Sequence, residues 1–497
     1  MPDHFKGLIV ILVLATAVFV FARRPALTIM EAVDFTRRRN LWFALTLVAF
    51  LSSNYWLYTF VAILLLLKAN RRETNPPALF YFILFALPMD NAQIPGMGLF
   101  SALFELNHTR ILEIVILLPV FFSLHRQSNA LSFGKALSDK LLASYLLLTV
   151  VLYLRDSTLT GGLRQAFYLF LDVFLPYAVF SRSLKNLQAF RDVLMSFVLA
   201  VMVLSLIAIF EFFKHWLLYQ PLISALQLEG GDTAAISRDG MLRVIASTGY
   251  PIVLGYIMVV GMGFYLFLRG KIKQTLMRRL GTILLTGGLI VPLSRGPWLG
   301  AAVLMFVFIA TGRYAARRLM ILALAAMLSF PLISLLPGSE RVINLLPFIG
   351  STGKENVDYR EKLITNSMIV IQRNPWFGST DFLESPEMEA MRQGQGIIDV
   401  VNSYIAIALQ TGFTGLGLFV AFFALTLIGI FRAMRSISSK DSEDYLLGRV
   451  LLATLLAIMV IIVTASSTLF IPIVYWSVAG MGVAYAQMVR KQSVKNN

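Results

Sequence analysis

Three arginines stand beside strongly apolar stretches of this chain. Arg243 precedes one such stretch, Arg295 joins two others, and Arg360 opens an amphipathic run. The guanidinium group is permanently charged and its fork of donors matches phosphate oxygens. An arginine between apolar segments is costly unless it finds a partner or lines a wet cavity. The pattern is compatible with binding of a phosphate-like anion, and flanking anchors, snorkelling side chains or local ion pairs explain it equally well.

Arg360 has the clearest local context. In Asp358-Tyr359-Arg360-Glu361, the two acids have the spacing of a capping box, which predicts a helix beginning at Asp358 with Arg360 in its first turn. Helix N-termini attract anions, so this position suits the proposed chemistry. Apolar residues then recur at helical spacing, and Asn374-Pro375 should end the helix. The apolar positions are Leu363, Ile364, Met368 and Ile371.

The other two arginines are followed by turn or cap signals. Gly296-Pro297 predicts a fixed turn that aims Arg295. After Arg243, Ser247 and Thr248 are candidate helix caps, and Pro251 suits the first helical turn.

A possible base lies further along the chain. Asp399, Asn402 and Ser403 have the spacing i, i+3, i+4, which predicts one face of a helix. Asp399 could act as a general base or cap that helix. The nearby Gly412 and Gly415 predict close helix packing.

Metal and cofactor chemistry is not expected. The chain has no cysteine, and its four histidines, His4, His108, His125 and His215, stand at no ligand-like spacing. The sequence therefore argues against a thiolate or a histidine-rich metal site.

The composition indicates where these residues are held. Of 497 residues, 58% are hydrophobic and only 14% are charged, whereas soluble chains have roughly 25% charged residues. Apolar runs of nearly membrane-spanning length recur throughout. We predict an all-α polytopic helical bundle with about 12–15 spans. Ser52, Ser53 and Asn54 should form a hairpin between two of them.

The net charge of +16 follows membrane topology. With that hairpin, every second loop is basic, and these loops hold 29 of the 43 Lys and Arg but only 8 of the 27 Asp and Glu. The positive-inside rule then places the C-terminus in the cytoplasm and the N-terminus outside. Anionic membrane lipids are the expected contact, and nucleic acid is not. The loops are 22–40, 68–77, 125–140, 181–192, 269–280, 312–318, 431–449 and 490–497.

Four regions follow from this topology. Residues 1–240 form N-terminal spans, and 241–336 carry spans with outer-face arginines. Residues 337–398 form a long outer loop, which we expect to be functional. Residues 399–497 form the last spans and a cytoplasmic tail. Glu113, Asp172 and Glu211 are acids within apolar segments, and such groups can serve proton-driven transport.

Together, these elements resemble the bacterial O-antigen ligases and Wzy-type polysaccharide polymerases. The resemblance covers about residues 240–430 and depends on the order of its motifs. The motifs are Arg243 to Pro251, Leu293-Ser294-Arg295-Gly296, Arg360, Asn374-Pro375-Trp376-Phe377-Gly378, and Asn402-Ser403-Tyr404 followed by Gly412 and Gly415.

The resemblance implies a GT-C-like, metal-independent glycosyltransferase of the bacterial inner membrane. Its donor would be a glycan on undecaprenyl diphosphate, used at the periplasmic face, and its acceptor a second glycan. Arg243, Arg295 and Arg360 would bind the diphosphate, with Asn402 and Ser403 nearby. A flippase and a chain-length regulator would be possible partners.

One departure separates two activities. The ligases place a histidine immediately before the asparagine of the post-loop helix, whereas this chain has Val401. The difference favours a polymerase of exopolysaccharide or O-antigen repeats, with Asp399 as the nearest candidate base. A ligase that transfers finished glycan to lipid A-core or protein is the alternative, followed by a lipid-linked glycan flippase without catalysis.

Overall fold

The computed structural model describes residues 1–95, 102–126, 133–228, 237–238, 241–334, 354–393 and 396–496. The regular secondary structure of the described chain is almost entirely helical. Its helices are α1 (Asp3–Ala26), α2 (Ala32–Leu51), α3 (Tyr55–Asn70), α4 (Pro76–Ile83), α5 (His108–Arg126), α6 (Leu137–Asp156), α7 (Leu159–Ser183), α8 (Leu187–Lys214), α9 (Gln220–Ala225), α10 (Pro251–Leu268), α11 (Thr275–Ile290), α12 (Arg295–Ala310), α13 (Ala315–Ser334), α14 (Lys354–Arg373), α15 (Pro386–Glu389), α16 (Ser403–Arg435), α17 (Glu443–Ile461) and α18 (Phe470–Asn496).

The remaining elements are short. Strands β1 (Ala92–Pro95) and β2 (Ala102–Leu106) pair antiparallel, as do β3 (Ser237–Arg238) and β4 (Met241–Leu242). Single 3-10 turns occur at Arg269–Lys271 and Phe382–Glu384. Helices α5 and α7 each contain one π-helical turn, at Glu113–Leu117 and Phe170–Phe174.

The fold is an all-α polytopic membrane bundle, as predicted. Eight helices within the described ranges are long and apolar enough to cross a membrane: α1, α5, α6, α7, α8, α10 with its 3-10 extension, α16 and α17. Helices α3 and α12 are apolar but shorter. The predicted hairpin is present, because α2 ends at Leu51 and the Asn54 side chain caps α3 by accepting the Leu57 N–H at 2.9 Å.

On one face of the bundle, ion pairs connect the loops to one another. Arg38 is fully buried and bonds Glu73 and Asp192, each at 2.6 Å. Glu443 binds Lys271 at 2.7 Å and also pairs with Arg191. Further pairs are Arg182 with Asp139 at 2.7 Å and Arg313 with Asp441 at 2.6 Å. These contacts join seven of the eight basic loops, so the structure confirms that those loops share one face. We call it the basic face.

The opposite face carries the predicted outer loops. The start of α1 packs there, because a Cβ on Gly7 would lie 2.8 Å from the Leu218 carbonyl oxygen. The Ser247 hydroxyl donates to the Phe85 carbonyl at 2.7 Å, and Thr380 donates to Asp156 at 3.1 Å. The N-terminus therefore lies on the side opposite the basic face. We call this second side the arginine face.

Candidate functional site

Arg360 lies in the second turn of α14, not the first. The helix is already formed at Lys354, so Asp358 is its fifth residue and the predicted capping box does not occur there. No proline or glycine between Lys354 and Asp358 interrupts the helix. Arg360 consequently does not act through a helix N-terminus. Any anion that it binds must be held by its side chain. The helix ends at Arg373, immediately before Asn374-Pro375, as predicted.

Helix α14 is held against the first part of α16 by a small core of its own. Leu363 and Ile371 are buried, with Ala408 and Leu409 of α16 in the same cluster. Two predicted members of the apolar face, Ile364 and Met368, are about half exposed at 52% and 48%. Val370 takes their place in the cluster, which shifts the buried stripe around the helix.

Helix α16 is broken where α14 ends. Gly412 has φ +65°, and a Cβ there would lie 2.3 Å from the Trp376 backbone. The Pro375 carbonyl accepts the freed Phe413 N–H at 2.7 Å, and Leu409 accepts the Ser379 N–H at 2.9 Å. The predicted close approach at Gly412 is therefore real, but a loop rather than another helix makes it. Residues 413–435 then run on as a span-length segment.

Asp399, Asn402 and Ser403 do not share a helical face. Helix α16 begins at Ser403, and Asn402 is its N-cap, accepting the N–H groups of Tyr404 at 2.9 Å and Ile405 at 3.2 Å. Because the amide caps the helix here, Asp399 lies outside it and is not a cap. Asp399 is exposed, and its carboxylate accepts the Ser466 hydroxyl at 2.7 Å.

The loop between α17 and α18, residues 462–469, organises these groups. Its Ile462 and Ala465 carbonyls accept the N–H and the hydroxyl of Ser403, at 3.0 and 2.7 Å. Its Thr464 carbonyl accepts the Arg360 guanidinium at 3.3 Å. Together with the Ser466 bond to Asp399, these contacts hold Arg360 and Asp399 side by side. The sequence analysis missed this loop, for which the only signal was a cluster of hydroxyls between two apolar runs.

Arg295 lies beside the same loop, because the next residue, Gly296, packs against it. Arg295 is the first residue of α12, and a Cβ on Gly296 would lie 2.2 Å from the Thr464 hydroxyl. Gly296 and Pro297 lie within the helix rather than in the predicted turn. The turn precedes them at Leu293, where φ is +51°. Glycine at 296 is needed because only a residue without a side chain lets α12 start against Thr464.

Arg243 is tied to that same turn. Its guanidinium donates to the Ser294 hydroxyl at 3.1 Å and to the Pro292 carbonyl at 3.4 Å. Ser247 and Thr248 are not helix caps, since their hydroxyls bond the Phe85 and Ile245 carbonyls. Pro251 is the first residue of α10, as predicted.

Two of the three intramembrane acids have structural partners. Glu211 accepts the N–H groups of Leu218 and Ala246, both at 2.9 Å, and so anchors the segment that carries Arg243. Asp172 pairs with Arg110 at 2.9 Å. Glu113 is fully buried beside that pair. These contacts give Glu211 and Asp172 roles in holding the fold together.

The electrostatics of the arginine face follow from this geometry. Burial lowers the pKa of the Arg360 guanidinium, the Asp399 carboxylate opposes that shift, and the positive charge of Arg295 adds to it. Among the described residues, no carboxylate lies within ion-pair distance of Arg360. The structure thus brings Arg295, Arg360 and Asp399 together and links Arg243 to them through Ser294. It uses Asn402 and Ser403 to position the start of α16.

Comparison with known proteins supports the resemblance. Residues 280–420 match the family model described as O-antigen ligase. The matched segment contains Arg295, Arg360 and Asp399 but not Arg243. No curated protein matches the chain significantly. The match shows that this segment is similar to the O-antigen ligase family, in agreement with the resemblance seen in the sequence.

Proposed function

We propose that this chain, whose residues 280–420 are similar to the O-antigen ligase family, polymerises lipid-linked oligosaccharide repeats. The observation that carries the proposal is the convergence of two arginines and one carboxylate on the loop at 462–469. A glycosyl donor with a diphosphate leaving group needs positive charge where the leaving group departs. It also benefits from a base near the attacking hydroxyl.

In the proposed reaction, an acceptor sugar hydroxyl attacks the anomeric carbon of the donor glycan. The new glycosidic C–O bond forms as the bond to the diphosphate breaks, and the lipid diphosphate leaves with the electron pair. Arg295 and Arg360, with Arg243 behind them, stabilise its negative charge. The hydroxyl proton passes to Asp399. Because the donor sugar stays on its carrier until attack, the growing chain and the next repeat must both reach this face.

The proposal includes an orientation. We assign the basic face to the cytoplasm and the arginine face to the periplasm, with the C-terminus inside, in the bacterial inner membrane. The ion pairs that join seven basic loops support one common basic face, and the positive-inside rule supplies its side. The donor in this proposal is a glycan on undecaprenyl diphosphate, which would be delivered to the outer face by a flippase.

The test is reconstitution with one defined lipid-linked repeat. Purified protein in vesicles, given this repeat as both donor and acceptor, should produce a ladder of longer chains. An Arg360→Ala variant that inserts normally should form the ladder about 10- to 150-fold more slowly. If wild-type protein that binds the donor leaves only single repeats, it is not a polymerase.

A ligase remains the second candidate because the family description is that of an O-antigen ligase. Against it stands Val401, at the position where the ligases carry a histidine. The two activities differ in their products. Loss of a ligase would leave full-length polymer on the lipid carrier, whereas loss of a polymerase would leave single repeats. Gel analysis of carrier-linked glycan from a deletion strain separates them.

A further inference from the structure

A cavity on the basic face is lined by three cationic side chains. It lies between the turn that joins α12 to α13 and the turn that joins α16 to α17, and its volume is about 600 Å³. Arg313 lines the cavity and pairs with the exposed Asp441 at 2.6 Å. Arg435 and Lys440 also line it, and neither forms an ion pair with any residue that the structure describes. The cavity therefore carries a surplus of positive charge.

A fourth cation lies directly behind the cavity wall. The wall includes Gly312, and a Cβ on this glycine would lie 2.5 Å from the Arg449 guanidinium. Arg449 is only 8% exposed, and the positive charge of Arg318 acts on it. Its guanidinium donates to the Phe308 carbonyl and lies over the Phe308 ring, but within the described ranges its Nε has no hydrogen-bond partner and no carboxylate pairs with it. A buried cation without a counter-charge is costly, so this one favours an anion in the cavity.

The cavity lies where the lipid-facing surface meets the basic face. Phe431, near the end of the spanning helix α16, lines the cavity and is 46% exposed. Phe306 of α12 and Met320 of α13, close to the cavity along their helices, are also exposed apolar residues. Tyr314, another lining residue, adds the kind of ring that is enriched at the membrane–water interface. An anion in this cavity could thus carry acyl chains into the bilayer.

We propose that the cavity binds the phosphate group of an anionic phospholipid. Arg435 and Lys440 supply donors and positive charge for the phosphate. The apolar and aromatic part of the lining suits the glycerol and the first acyl carbons. The bound phosphate would also offset the charge of Arg449 behind the wall. Binding here is independent of the proposed function, because the cavity and the arginine site lie on opposite faces.

A soluble phosphate ester has the same charged group as the lipid. The lipid is favoured by the exposed apolar side chains beside the cavity, which a soluble ligand would leave unused. A second alternative is diffuse attraction between the whole basic face and anionic lipid, in which each cation near the surface contributes about fivefold in affinity wherever it stands. The three models differ in which cations matter and in whether acyl chains are needed.

The test measures lipid binding to the purified full-length protein in neutral detergent by native mass spectrometry. The probe is phosphatidylglycerol. We expect the double variant Arg435→Gln, Lys440→Gln to lower the affinity for the first bound molecule by about 30-fold. The matched control is Arg432→Gln, Lys273→Gln, which removes two exposed cations of the same face that do not line the cavity. Its affinity should stay within about twofold of wild type. All four side chains are exposed, so both variants should fold.

Equal losses in the two double variants would show diffuse attraction, and an unchanged affinity in the cavity variant would show that the cavity does not bind the lipid. Either result would overturn the proposal. A further arm adds glycerol 3-phosphate, which carries the phosphate without acyl chains. It should not displace phosphatidylglycerol at equal concentration, and displacement would overturn the lipid assignment in favour of a soluble ligand. No glycan takes part in these measurements, so a failure of polymerisation would leave their outcome unchanged.

Discussion

Arg38 and Arg360 are both withdrawn from water, but their neighbours differ. Arg38, on the basic face, is fully buried and contacts Glu73 and Asp192 at 2.6 Å. Arg360, on the arginine face, donates to the neutral Thr464 carbonyl at 3.3 Å and experiences the positive field of Arg295. The first charge is compensated within the protein. The second has Asp399 in its vicinity but no ion pair among the described residues, so it can attract an anion from outside.

This difference separates residues that hold the fold from residues that act on a ligand. Removing a compensated charge should damage stability, because its partners become buried without a counter-charge. Removing Arg360 should damage binding or catalysis and leave the fold in place. Each of the following variants tests one side of the comparison.

Asp399→Asn should have the largest effect on activity. The amide can still accept the Ser466 hydroxyl, so the loop contact and the fold should persist, but it cannot take a proton. We expect glycosyl transfer to fall by about 10²- to 10⁴-fold, the usual range for loss of a general base. Initial rates with saturating donor measure the change, and Asp358→Asn, an exposed acid on the same face, is the control. Retention of more than half the activity would mean that Asp399 only anchors the loop.

Arg38→Ala should have the largest effect on stability. It leaves Asp192 buried without an ion pair among the described residues, whereas Glu73 keeps its pair with Arg37 at 2.8 Å, and we expect a cost of about 3–5 kcal/mol. Thermal unfolding in detergent should shift strongly downward, whereas the activity of each remaining folded molecule should match wild type. A normal melting temperature with lost activity would reverse the assignment of Arg38.

Arg360→Ala should show the opposite pattern. A charge-assisted contact to a diphosphate contributes about 1.5–3 kcal/mol, so kcat/KM should fall roughly 10- to 150-fold. Arg360→Lys should also be impaired, because an ammonium lacks the planar fork. Arg373→Ala in the same helix, where the arginine is half-exposed and paired with Glu387, is the matched control. Equal losses in both variants would indicate that α14 itself, rather than its site residue, was disturbed.

Asn402→Ala should have the smallest effect. It removes an N-cap that accepts two backbone N–H groups, at a cost of about 1 kcal/mol. We expect a modestly lower melting temperature and activity within a few-fold of wild type. Asn402→Asp, which can still cap the helix, should restore the stability. A collapse of activity at normal stability would place the Asn402 side chain in contact with the substrate.

The features that the sequence predicted correctly are those encoded locally. Neighbouring residues alone determine the helices of the apolar runs and the break at Ser52 to Asn54. The same holds for the helix start at Pro251 and the helix end before Pro375. The shared face of the basic loops was also predictable, because charge asymmetry accumulates over the whole chain. By contrast, Asn402 and Asp399 both suit an N-cap, and only the tertiary contacts of Ser403 show where α16 begins.

The loop at 462–469 was beyond sequence reasoning for a different reason. Its Thr464 and Ser466 act on residues 104 and 67 positions away. Hydroxyls in such a loop have no characteristic spacing, and three of its contacts use backbone carbonyls that any residue could supply. The arginines could be identified as candidate site residues from their residue type and their position beside apolar segments. Their convergence could not be predicted, because it depends on a segment that carries no charge.

The ion pair between Arg191 and Glu443 has a consequence for biogenesis. The two residues lie 252 positions apart. At about 5–20 residues per second, the ribosome therefore makes Arg191 roughly 12–50 s before its carboxylate partner exists. Lys271, which binds the same Glu443, is likewise synthesised before that carboxylate. Until α17 is inserted, both cations must be satisfied by water or by anionic phospholipid head groups, so lipid composition should influence how well the half-made protein keeps its helices in place.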